Sequence, residues 1–168
     1  MLGLIISFVV FTAYLYYLYK HHGITNSISV TAQYNRPTKV VKVLWWRFVL
    51  DSQWGYTMGQ FGFAVPLMIV STSTWITLAG ALIMLSAVFS RTRGDKVILR
   101  LHTICAVGGM AAGIVGLWLS YSLWPLSILY VAFLIYSTKI RHQTYWREVV
   151  AFYLVWTGEL IAHLIFCL

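Results

Sequence analysis

The twelve Lys and Arg residues of this 168-residue chain fall into three blocks, Lys20 to Arg47, Arg91 to Arg100 and Lys139 to Arg147, with long apolar runs between them. A chain that confines its cations in this way has few folds open to it. Charged residues make up 10% of the sequence and hydrophobic ones 60%, against roughly 25% charged in soluble domains, so a water-soluble fold is excluded in practice. Crossing about 30 Å of hydrocarbon takes about 20 mostly apolar helical residues.

The chain therefore reads as all-α, a polytopic membrane protein in which one domain forms a compact bundle of six transmembrane helices. The spans are expected over about 2–19, 43–70, 75–89, 97–119, 123–137 and 148–168. The first lacks a basic leader and a small-residue cleavage site, so it reads as a retained anchor. Between spans one and two lies the one long connection, whose stretch Gly23 to Asn35 is uncharged and rich in turn formers and β-branched residues. In span two, Arg47 and Asp51 are four apart and are expected to pair on one helix face, and Pro66 should kink the helix unless neighbours satisfy the released carbonyl.

The turns after spans two and four carry no charge, and neither end of the chain has a Lys or Arg. By the positive-inside rule both termini are expected outside the cytoplasm, with the three basic blocks inside. Aromatic residues give the same map: Trp75, Trp118, Tyr121 and Trp124 at the outer interface, Tyr16, Tyr17, Tyr19, Tyr136, Tyr145 and Trp146 at the inner one. The net charge of +8 then finds its partner in anionic lipid at the cytoplasmic face rather than in nucleic acid. A bacterial inner membrane is the expected setting.

Lipid tails give helices no hydrophobic reason to associate, so small residues that let backbones approach must supply contact. Gly55, Gly59 and Gly62 on span two and Gly109, Gly113 and Gly116 on span four form two such stripes. The pattern predicts that these spans pack on each other and bring Asp51 and His102 together at the inner boundary; separate contacts with headgroups or water are the alternative. A homo-oligomer is possible.

Span six carries Glu148, Phe152, Trp156, Glu159 and His163 at helical spacing. Glu159 is expected near mid-membrane, where an ionised carboxylate must face protein or a wet cavity. Two readings follow. Glu159 and His163 could wall a cavity for a headgroup, a proton or a metal. Glu159 could equally be protonated and donate to a backbone group or to Gln60, which forms a polar stripe with Gln53 and Thr57 on span two. A zinc site needs three ligands together, and Asp51, His102, Glu159 and His163 are not at one depth, so no metal, haem or other cofactor is implied. Cys105 and Cys167 lie in opposite halves, so no disulfide is expected.

The stretch Ser27-Ile-Ser-Val-Thr-Ala-Gln-Tyr34, followed by Leu101-His102 at the opening of span four, resembles small uncharacterised six-helix membrane proteins of bacteria and their phages. That resemblance covers the layout of most of the chain and implies no particular chemistry. A more distant similarity is to the alkaline ceramidase and progestin-receptor superfamily of membrane hydrolases, which gathers a Ser, an Asp and several His around a metal. It implies Ser27 or Ser29, Asp51 and His102 as catalytic candidates, but Glu159-x-x-x-His163 stands where that superfamily has two His. The functional expectation is a non-enzymatic bundle that binds lipid or a partner. A membrane-embedded metal-dependent hydrolase or transferase acting on lipid headgroups is the alternative, and a proton or ion pathway through Glu159 the third reading.

Overall fold

The computed structural model describes residues 1–26, 28, 39–43, 46–50, 52–90 and 96–166, with backbone alone at 21–22, 39–43, 46–50, 52–55 and 166. Along the chain these form α1 (Leu2–His22), the strands β1 (Lys39–Val43) and β2 (Trp46–Leu50), α2 (Ser52–Val70), α3 (Thr74–Phe89), α4 (Lys96–Tyr121), α5 (Trp124–Ser137) and α6 (Gln143–Phe166). Three helices are long and apolar enough to cross a membrane, over Leu2–Lys20, Lys96–Tyr121 and Gln143–Ile165. The other three give shorter apolar runs, Tyr56–Val70, Thr74–Phe89 and Trp124–Ser137.

The predicted second span is corrected at its start. Its first residues form an antiparallel hairpin in which Lys39 pairs with Leu50 and Val43 with Trp46, and helix begins only at Ser52. Three of the five β1 residues are Val, and β2 carries Trp46, Phe48 and Val49, residue types that favour extended backbone over helix. Arg47 therefore sits on a strand, and a helical four-residue spacing to Asp51 does not arise; Asp51 itself lies outside the described residues, as do Ser27, Ser29 and Cys167.

Local chemistry sets the helix ends. Gly23 closes α1 at φ 68°, a left-handed conformation that glycine adopts without a Cβ penalty, and its N–H donates to Tyr19 O at 3.0 Å. Ser73 caps α3 by accepting from Ile76 N at 3.3 Å, and Pro125 fits the first turn of α5 because no helical partner is needed there. At the other end of α5, Arg147 of α6 donates from Nε to the Ser137 hydroxyl at 2.7 Å and from Nη2 to Leu134 O at 3.2 Å, a carbonyl the helix leaves open. Helix α2 continues through Pro66, which removes the hydrogen bond that Gly62 O would accept. Ser7 of α1 donates to the adjacent Phe63 O at 2.9 Å.

The core gathers between α1, α2 and α6 around Phe11, Phe63 and Phe152, whose ring centroids lie 4.7 to 4.9 Å apart. The two glycine stripes do not pack on each other. A Cβ on Gly59 would fall 2.5 Å from the Tyr14 ring, and one on Gly62 would meet Val10, so the α2 stripe lies on α1. On α4, Gly109 faces Ala79 and Ile83 of α3, Gly116 faces Trp75 and Ile76 of α3, and Gly113 faces Val155 of α6. Helices adjacent in sequence tend to be adjacent in space, which accounts for the pairing of α1 with α2 and of α3 with α4, while Gly113 meets α6 instead.

Candidate functional site

Two polar clusters lie at opposite ends of the helices. The first is built on Glu159, which is 1% exposed. Its Oε1 accepts from Ser71 Oγ at 2.7 Å and from Tyr121 Oη at 2.8 Å. Ser71 belongs to the turn between α2 and α3, and Tyr121 ends α4, so the carboxyl ties three helix ends to α6. Around it Ser73 Oγ and Ser120 Oγ share a hydrogen bond of 2.7 Å, and Ser73 N donates to Ser71 Oγ at 3.1 Å.

The expected distance of Glu159 along its helix is corrected by this geometry. Helix α6 starts at Gln143, five residues before the predicted boundary, so Glu159 lies about 24 Å along it at 1.5 Å per residue, level with the ends of α2 and α4. Its partners are two hydroxyls, while Gln60 sits elsewhere. His163, half-buried, is one turn further along. From sequence Tyr121 reads only as an outer-interface aromatic and Ser71 only as a turn residue; the signal for their meeting Glu159 was available, since an uncharged Ser-Thr-Ser turn and the end of span four meet α6 at this level.

The second cluster lies toward the end of the molecule where α1, α3 and α5 finish and α2, α4 and α6 begin. His102, 6% exposed, places Nδ1 2.7 Å from Ser86 O of α3. A carbonyl only accepts, so this nitrogen carries the hydrogen. Ser86 Oγ in turn donates to Ile83 O at 2.8 Å. Nearby, Glu148 of α6 accepts from Ile28 N at 2.6 Å, Tyr145 N donates to Asn26 O at 3.1 Å, and His142 Nδ1 lies 3.1 Å from Asn26 Oδ1. The segment after α1 is thus fastened over the start of α6.

Between His102 and α6, a cavity of about 10 Å³ is lined by Tyr56, Gln60, Ile83, Ser86, Ala106, Met110, Glu148 and Phe152. Gln60 is 2% exposed and Thr57 is also buried. Above this cavity the lining turns apolar, with Phe63, Leu67, Ile83, Met110, Phe152 and Val155 among the walls of a second space of about 20 Å³. The described members of the predicted set therefore divide: His102, Thr57 and Gln60 belong to one half, Glu159 and His163 to the other. Among the described residues no three His, Cys, Asp or Glu side chains come together as a metal site would require.

No protein-family model, curated protein or solved structure matches this chain.

Proposed function

We propose that all six helices span a bilayer, that both chain ends lie on the non-cytoplasmic side, and that the protein is a non-enzymatic bundle whose basic cytoplasmic rim binds anionic lipid headgroups. The observation that carries this reading is the sorting of charge. Lys20, Lys96, Arg100, Lys139 and Arg141 are all exposed and stand at the end of α1, the start of α4 and the end of α5. The turns at the other end, 71–73 and 122–123, hold Ser, Thr and Leu. Cations next to apolar spans favour an anionic leaflet by about 1 kcal/mol per residue. A bacterial inner membrane supplies such a leaflet and is the proposed setting.

Helices α3 and α5, 16 and 14 residues long, are short for a span. Such mismatch is met by local bilayer thinning and by flanking residues that reach the interface, at fractions of a kcal/mol per Å. Of the ionisable groups that suggested chemistry, Glu159 is engaged with Ser71 and Tyr121 and His102 with Ser86, and Glu148 likewise holds Ile28. Aromatic and aliphatic packing around Phe63 and Phe152 lies between the two polar ends, which supports a scaffold over a proton pathway through one copy.

The test uses protein reconstituted in bilayers with spin-labelled phosphatidylglycerol or phosphatidylcholine. Wild type is expected to hold the anionic probe preferentially, and the combined Lys96→Gln, Arg100→Gln, Lys139→Gln, Arg141→Gln variant to lose most of that preference. Equal selectivity in both proteins would remove lipid binding at this rim.

A further inference from the structure

The polar cavity between α2, α3, α4 and α6 plays no part in lipid binding, yet it has the features of a built site. One of its polar walls is Gln60, 2% exposed, whose Oε1 is buried without a hydrogen-bond partner. A buried acceptor in that state is costly, and interiors satisfy such groups with protein or with ordered water. Facing Gln60 are the buried Tyr56, one helical turn earlier on α2, then Ser86 of α3 and the half-buried Glu148 of α6. Buried waters need two to four polar partners and roughly 10–15 Å³ of room, and this cavity offers about 10 Å³.

We propose that the Tyr56, Gln60, Ser86 and Glu148 cavity is a binding site for one ordered water molecule, which donates to Gln60 Oε1 and to the Glu148 carboxylate. The water links α2 to α6 beside the carbonyl of Ser86 that holds His102. It is also a terminus. Beyond it the walls become Phe63, Leu67 and Val155, where a water would find no partners.

A small cation is the rival occupant, because it too would satisfy an amide oxygen and a carboxylate. Neutral water is favoured because Glu148 Oε2 already accepts a backbone N–H from Ile28 and Ser86 Oγ is turned to Ile83 O, which leaves too few oxygens for a dehydrated ion.

The decisive measurement is proton-detected solid-state NMR of the full chain in lipid nanodiscs. A water cross-peak to the Gln60 side-chain amide is expected, and Ala106→Val, which enlarges one cavity wall, should abolish it while the α2 backbone shifts remain. Absence of the cross-peak in wild type, or its survival unchanged in Ala106→Val, overturns the site. Thermal melting gives an independent sign. Gln60→Met should lower the midpoint by about 2–4 °C if a water is bound, whereas an unchanged or higher midpoint says that the amide had no partner to lose. Replacing sodium and potassium chloride by choline chloride should leave both readouts in place; loss of the Gln60 signal on that exchange overturns water in favour of a cation.

Discussion

Glu159 illustrates how a carboxyl in an apolar chain is made tolerable. Both its donors are hydroxyls from other elements, so the side chain matters as an acceptor more than as a charge. Glu159→Gln keeps an acceptor oxygen in place and is expected to cost about 1 kcal/mol or less, whereas Glu159→Leu removes the acceptor that Ser71 and Tyr121 share and should cost about 2–4 kcal/mol. Thermal melts in micelles check the order; equal losses would mean that the hydroxyls do not depend on the carboxyl. A smaller effect is expected at the turn between α4 and α5, where exposed Ser122 sits at φ 55°. Ser122→Gly relieves a left-handed residue and should raise stability by about 0.5–1 kcal/mol in the same assay. The sequence marked Glu159 as unusual, but its partners depended on where α6 begins. An error of a turn and a half there shifted the carboxyl by about 8 Å along the helix, to the level where α2 and α4 end.

Among the elements, glycine positions divide into those that touch a neighbouring helix and those that do not. Gly59→Ala would press a Cβ into the Tyr14 ring and is expected to cost about 1–3 kcal/mol. Gly108→Ala meets only Leu82 at 3.6 Å and should be neutral or stabilising by up to about 1 kcal/mol, since alanine is the better helix former. Equilibrium unfolding of the two variants side by side separates them, and a Gly108→Ala loss as large as that of Gly59→Ala would refute the packing. The stripes were legible because close backbone approach leaves a sequence trace. Their partners were not, because a smooth face does not say which helix it will meet, and α1 and α3 took the places assigned to α4 and α2. The start of α2 was misread for a related reason: Val, Trp and Phe read as apolar span under a hydropathy rule and as strand under a backbone rule, and residues 39–43 and 46–50 obey the second.

At the level of the molecule, everything proposed about function follows from which ends of the helices share a side. Six apolar helices with cations at alternate ends were readable from composition and charge alone, because hydrocarbon thickness and positive residues act on segments rather than on single contacts. The polar clusters were only half readable, since a cluster is a meeting of elements. Helix α5, 14 residues long, is the most demanding of the proposed spans, and its two flanks, Ser122 and Thr138, are both exposed. The most direct test therefore replaces Cys105 and Cys167 by Ser, introduces Ser122→Cys or Thr138→Cys, and labels intact cells with a membrane-impermeant maleimide. Ser122→Cys should react from outside, and Thr138→Cys only after permeabilisation. Labelling of both from one side, or of Thr138→Cys alone from outside, would contradict the account.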